Sequence, residues 1–472
     1  MVKKSYFLII TILIISQGCA AYQRMSLDHS TVAQRLMPPS METIRIEAKK
    51  IKHPILKPIE FNYCDGLSAD EAAILAVLVN PKLRAIRDQR GIAAAQLIQA
   101  GILPNPQLSY SLDIPTGGNT QGTINAFGLG FSWDITSIIA RGAKLDAARA
   151  HAISVDLDVA WQEWQMAEAA KMHVFRLILI EKQLALSRES EKGLMENLAV
   201  VNQAFNLGEK TVLDLSAAEA ALDQARLSVL TLEQEQEHER LALNQTLGLP
   251  PDYIVPIQRD IVFSNWQALP SVIDIMNTVA EHRLDLLALK MGYESQEANL
   301  RTAILSQFPK INIGFHHSRD TTNVVTTGFG ITLDLPFFDR NQGQIAIERA
   351  TRKQLFDEYI ARLFEAQSEV ARIVSDIESA QQQLGAIEKS LPALERLVQT
   401  YHMAVEGNNA DILSYYEARN TLLSKQIDAL RLKRDLTDLG ITLEIAAGQY
   451  FPGYDLSRSP SPERIDRKEI TK

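Results

Sequence analysis

Cysteine is nearly missing from this 472-residue chain, which holds only Cys19 and Cys64. Cys19 lies in an N-terminal targeting segment, so a disulfide framework is excluded, and Cys64 reads as a plain buried or linker residue. Aromatics make up 7% and the chain has 18 prolines, while Ala, Leu, Gln and Glu dominate the middle of each half. That composition belongs to long helices rather than mixed α/β domains. Clustered Lys and Arg are lacking too, and the formal charge of −9 argues against nucleic acid as a partner. Gly-rich phosphate loops, cysteine pairs, nucleophile elbows and any other catalytic constellation are absent, so neither an enzyme nor a cofactor carrier is expected. Helix breakers are scarce where it matters most. After Pro115 the next proline is Pro250, and between Ala143 and Leu247 the only glycines are Gly193 and Gly208.

What is present begins with an export signal: Lys3 and Lys4, an apolar run from Tyr6 to Ile15, then Gly18-Cys19-Ala20-Ala21. The run falls short of the roughly 20 apolar residues that span a bilayer, so residues 1–18 read as a removed signal peptide. Ser16-Gln17-Gly18-Cys19 resembles a bacterial lipobox with Ser16 where Leu is preferred. Two outcomes stay open: lipidation of Cys19 as the first mature residue, or ordinary cleavage near Ala21. Residues 19–66, with Pro38-Pro39, Pro54 and Pro58, read as an extended, lipid-anchored leader, and 451–472 as a disordered tail.

Between leader and tail one unit occurs twice, over 67–250 and 251–450. The first copy opens with a capping box at Ser68-Ala69-Asp70-Glu71, breaks at Asn80-Pro81 and continues as helix to about Gly101. Its counterpart starts near Ser271, with Asp274 three positions on, and runs to about Gln307. Each helix then meets a proline and becomes a strand, at Pro106 and Pro309. In the returning strands Leu129-Gly130-Phe131-Ser132-Trp133-Asp134-Ile135 matches Phe329-Gly330-Ile331-Thr332-Leu333-Asp334-Leu335, seven positions in register.

These four segments alternate with period two. Leu108, Tyr110 and Leu112 oppose Ser109, Ser111 and Asp113; Leu129, Phe131 and Trp133 oppose Gly130, Ser132 and Asp134. A half-buried sheet of a soluble protein would show the same period. Export, strand length and a small polar face favour a transmembrane barrel whose wet lumen is lined by Asp113, Asp134 and Asp334. Four strands cannot enclose a channel, so the chain must oligomerise, and three copies supply about twelve strands. His316 and His317 are adjacent on a strand, face opposite ways and cannot share a metal ion through one surface. A barrel-rim role is expected for them.

Long helical hairpins follow each strand pair. The first runs from about Ala143 to Phe205 and back from Thr211 to Leu247, the second from about Gln342 to Val405 and back from Asp411 to Ala447. Pro392 predicts a kink or break in the second. A coiled-coil bundle would explain the helices but not the strand pairs.

With Leu103-Pro104-Asn105-Pro106 leading into the first strand, the duplicated strand pattern, and the tip Leu207-Gly208-Glu209-Lys210-Thr211-Val212-Leu213-Asp214-Leu215, the sequence resembles the TolC-like outer-membrane efflux protein family over about 68–450. The Leu-Pro-Asn-Pro form looks most like its CzcC-like heavy-metal branch. The resemblance implies a mainly α protomer with a transmembrane β part, three copies forming a twelve-stranded β-barrel in outer-membrane lipid that continues as a long α-helical periplasmic tunnel. It implies a passive conduit for metal cations or small toxic compounds, handed over by an inner-membrane pump of RND type, and a periplasmic adapter protein docking on the hairpin tips. Carried over, the tips are Gly208, Thr211 and Asp214, then Gly407 and Asp411. Glu209, Asp214, Glu406 and Asp411 would form an acidic ring preferring cations at the inner mouth, with plain surface solvation as the competing account. A type I secretion duct, the adapter itself and a structural coiled-coil lipoprotein are the rival readings.

Overall fold

The computed structural model describes residues 21–62, 65–259, 270–407 and 409–451. The signal peptide, Cys19, Cys64 and the tail from 452 onward lie outside them. Two compact units divide the chain after Ser40. In the smaller, α1 (His29–Leu36) is N-capped by Asp28, whose carboxylate accepts from Thr31 N at 2.9 Å.

The leader is therefore not simply extended. In the larger unit α2 (Met41–Ala48) buries Ile44 and Ala48, a helical i, i+4 pair. Residues 51–62 then run without regular structure, yet Leu56 and Phe61 are buried in the main core. His53 secures this strap: its Nδ1 accepts from Ile55 N and Leu56 N, both at 3.0 Å, and its Nε2 lies 2.9 Å from Ala160 O. Two amide donors on Nδ1 require the neutral ring protonated on Nε2. Eight residues of helix give too short a period to be legible beside two prolines.

The remaining elements come in one order twice. First come α3 (Ala69–Val79), α4 (Pro81–Gly101), β1 (Gln107–Asp113), β2 (Ala126–Asp134), α5 (Thr136–Asn206) and α6 (Val212–Leu247). Then follow α7 (Val272–His282), α8 (Leu284–Leu305), β3 (Lys310–Arg319), β4 (Val325–Asp334), α9 (Gln342–Glu406) and α10 (Ile412–Ala447). At 71 residues α5 extends about 105 Å, far beyond what a compact domain can use. The capping box of α3 forms as the sequence predicts, Ser68 with Glu71, but Ser271 makes no side-chain cap on α7. Pro392 does not break α9, which runs through it without interruption. A proline removes one amide donor and crowds one carbonyl, a local cost that a helix this long absorbs by continuing on either side.

Helix α5 is the hub: it packs on α3, α4, α6, α8 and α10. Its stretch from Ala160 to Ile178 carries the main core, including Trp164 and Phe175. A smaller core joins α7 and α10 to Ala366, Val370, Ile373 and Ile377 of α9.

The two return helices end alike. Gly248 and Gly448 both cap in the left-handed region, at φ +72° and +73°. A Cβ on Gly248 would sit 2.8 Å from Pro81 Cδ, and one on Gly448 2.7 Å from Arg283 Cα. Each glycine thus seats its helix end on the junction of the two short helices of its own half. In the first half Asn80 Nδ2 donates to Thr246 O at 2.8 Å; in the second Arg283 Nη1 donates to Ala446 O at 3.3 Å.

Candidate functional site

The four strands form one antiparallel sheet in the order β1-β2-β3-β4. Strands β2 and β3, nearly 180 residues apart along the chain, are paired from Phe127↔Arg319 to Asp134↔Asn312. The outer edges of β1 and β4 carry no partner strand among the described residues. Register puts like with like. Leu108, Phe131, Phe315 and Phe329 form one cross-strand row, and Trp133, Ile313 and Ile331 another. This face is uncovered: Leu108 is 73% exposed, Phe329 66% and Ile331 58%. An apolar face of that extent does not stay in water unaided.

The opposite face is bare. Its rows are Gln107-Ser132-Gly314-Gly330, Ser109-Gly130-His316-Gly328 and Ser111-Gly128-Ser318-Thr326. Asp113, Asp134 and Asp334 all lie on it but not together. Asp113 is opposite Ala126 at the end far from the helices, whereas Asp134 is opposite Asn312 and Asp334 opposite Lys310 at the helical end. Asp134 also accepts from Thr136 N at 2.9 Å, which starts α5 seven residues before the sequence suggested. His316 and His317 do take opposite faces: His317 meets the Thr327 hydroxyl at 2.8 Å on the apolar side. Trp133 Nε1 donates to Pro104 O at 2.8 Å, tying β2 to the Leu-Pro-Asn-Pro turn.

The two hairpin tips differ. At the first, Gly208 adopts φ +78° and Thr211 with Asp214 makes a capping box, Thr211 N donating to Asp214 at 2.8 Å. Hydrogen bonds from Thr211 hold the Asp214 carboxyl below its ordinary range. Leu207, Val212 and Leu213 project outward from this turn. The second tip turns without a left-handed glycine, Gly407 having φ −82°, and Asp411 caps α10 by accepting from Leu413 N at 3.2 Å. Two of the four carboxylates expected in an acidic ring, Asp214 and Asp411, thus already serve as helix caps, a use that Thr-x-x-Asp spacing makes legible at the first tip.

A buried charge cluster escaped the sequence reading. Lys171 of α5 lies 3.2 Å from Asp70 of α3, 3.3 Å from Glu168 and 3.0 Å from the Tyr450 hydroxyl. Glu444 of α10 is buried close by and accepts from Phe451 N. One ammonium faces three carboxylates, and burial with like charge pushes the Glu444 carboxyl up to about 8. Glu168, fully buried, is raised for the same first reason. Only the i, i+3 spacing of Glu168 and Lys171 was visible in sequence; the partners come from elements far along the chain. Among the described residues no group of His, Cys, Asp and Glu is arranged to hold a metal ion.

Strand pairs joined to long hairpins in this order are matched by the family model for outer membrane efflux proteins, over residues 75–249 and again over 275–449. The chain belongs to the outer membrane efflux protein family. It is similar to the probable outer membrane lipoprotein SilC of Salmonella typhimurium, 21% identical over 57% of this chain and 61% of that protein. It is also similar to the cobalt-zinc-cadmium resistance protein CzcC of Cupriavidus metallidurans, 20% identical over 81% of this chain and 90% of that one. The match to SilC thus spans less than two thirds of that relative's length. The Campylobacter jejuni CmeC outer membrane channel has the same fold, with a TM-score of 0.67 at 15% identity, over 93% of this chain and 95% of that one. The outer membrane location expected from the export signal and the strands agrees with this membership.

Proposed function

We propose that three copies of this chain close their sheets edge to edge into a barrel of about twelve strands and continue as a helical tunnel into the periplasm. The reading is a passive duct without enzymatic activity, built from a duplicated unit. One observation carries it: a four-stranded sheet with two unpaired edges, an exposed apolar face for lipid and a bare polar face for water. The exposed Phe356, Ile360 and Phe364 of α9 add a second strip for a neighbouring copy to cover. Asp113, Asp134 and Asp334 then line the lumen.

Energy comes from an inner-membrane pump, and the hairpin tips at Gly208, Thr211, Asp214, Gly407 and Asp411 are where a periplasmic adapter docks. The names of CzcC and SilC support a metal-cation cargo and a lipid on Cys19 respectively. The test is fractionation with the outer membrane together with a gel band that shifts on heating. Recovery in the soluble periplasm with a single heat-insensitive band would refute the duct. Challenging a deletion strain with divalent metals, dyes, detergents and antibiotics then identifies the cargo class.

A further inference from the structure

The polar face of the sheet is nearly uniform. Across its three middle rows stand Gln, Ser, Thr and Gly, with one ionisable side chain, His316. Carboxylates and Lys310 occur only toward the two ends of that face, and His317 and Arg319 alternate to the apolar side. His316 is also specially seated. Its register neighbours on either side are Gly130 and Gly328. A Cβ on Gly328 would lie 2.3 Å from His316 Cε1 and 2.6 Å from Nε2, so the imidazole lies flat on the bare backbone of β4. Ser109 Oγ occupies the notch over Gly130 in the same way, 2.5 Å from where its Cβ would be. Glycine at these positions keeps the wall thin, and the ring stays exposed.

We propose that His316 is the selectivity-determining contact of the barrel wall, the one imidazole among the described residues of the sheet's polar face, offered to borderline divalent cations such as Zn²⁺ as they pass. This rests on the reading that the polar face lines the duct. Imidazole nitrogen suits Zn²⁺, whereas Mg²⁺ prefers oxygen and gives up its water reluctantly. A single solvent-open imidazole per protomer binds weakly, which a conduit requires: the ion must be drawn in and must also leave. Gly328 sets how far the ring projects, so it tunes the contact without supplying a ligand.

The experiment is single-channel recording of the full-length protein in planar bilayers, with Zn²⁺ or Mg²⁺ chloride added at equal concentration. Wild type should lose conductance with Zn²⁺ and not with Mg²⁺. His316→Ser, which places in that row the residue type already present at Ser109, should abolish the Zn²⁺ effect, and His317→Ser should retain it. Gly328→Ala, by lifting the ring off the wall, should lower the half-blocking Zn²⁺ concentration. Equal block of wild type by both ions, or block unchanged in His316→Ser, overturns the proposal while leaving the duct intact. Absence of any channel from wild type, with the protein missing from the outer membrane, overturns the duct reading instead. A heat-shifted band for each variant shows that it has assembled.

Discussion

Trp164 and Phe364 stand 200 residues apart, the offset that also aligns the strand motifs and the glycines at 248 and 448. Trp164 is fully buried against α10's trailing Tyr450, ring centroids 4.6 Å apart, while Phe364 is 71% exposed. The two halves thus share their order of elements and differ in what each helix covers. The first half wraps its long helix in α3, α4, α8 and α10; the second leaves much of α9 bare. In the proposed assembly, the apolar stripe that the chain does not cover itself is covered by a neighbouring copy. Equal build with unequal burial fits the proposed assembly, in which one half forms the protomer's core and the other its contact surface.

The comparison breaks most visibly at that pair. Trp164→Ala should cost about 3–5 kcal/mol of fold stability, the usual range for emptying an aromatic site in a core, seen as a large fall in the thermal midpoint of helical circular dichroism in detergent. Phe364→Ser should leave the protomer's helicity intact and weaken the heat-shifted oligomer band. Equal loss of helicity in both would mean that Phe364 is a core residue and the halves are not so divided.

Next come the two joints. Arg283 is 3% exposed, grips Asp285 at 2.7 and 2.9 Å and lies over the Trp161 ring at 5.0 Å. Arg283→Met leaves Asp285 with Arg362 as its one charged partner beside the Leu286 amide and should cost about 3–5 kcal/mol, as removing one partner of a buried pair does. Asn80→Ala removes neutral hydrogen bonds to the end of α6 and should cost about 1–3 kcal/mol. Gly248→Ala and Gly448→Ala should each cost about 1–3 kcal/mol in backbone strain, with further loss from the close approach. Denaturant midpoints of the four variants check the order, and Asn80→Ala exceeding Arg283→Met would reverse it.

The pH dependence is smaller and has two arms. The folded Glu444 carboxyl, near 8 instead of 4.5, holds a proton that the unfolded chain gives up. Its contribution is fully present below about pH 4.5 and lost as pH rises through about 8, by up to about 1.4 kcal/mol per unit. Glu444→Gln should flatten that arm. Burial holds the His53 pKa below its ordinary 6.5, so the neutral strap is stable above 6.5 and loosens as pH falls through the lowered value. Hydrogen exchange over residues 51–62 should rise on acidification while the hairpins stay protected.

Much of this was legible in sequence, for a physical reason. Long stretches free of Pro, nearly free of Gly and rich in Ala, Leu, Gln and Glu favour helix, and alternation over seven matched residues favours strand, so the helix ends at Gly101 and Leu247 and the faces of the sheet follow. Contacts between distant segments were not legible. Nothing local to Asp70, Lys171 or Glu444 shows that they meet, nor that β2 pairs with β3. Nothing local marks His53, which stands directly before Pro54, as the acceptor of the Ile55 and Leu56 amides. The 200-residue spacing of Gly248 and Gly448 was available and marks the same joint twice. At the tips the Thr-x-x-Asp spacing marks Asp214 as a cap, but the role of Asp411 was not legible, because a capping carboxylate and a pore-lining one are the same residue until its hydrogen bonds are seen.

The central claim, that unpaired β1 and β4 edges and the bare face of α9 are closed by further copies of this chain, is tested most directly by native mass spectrometry of the particle extracted from the outer membrane. Three copies per particle is the predicted result. A single copy, stable in detergent with the sheet edges open, would contradict it.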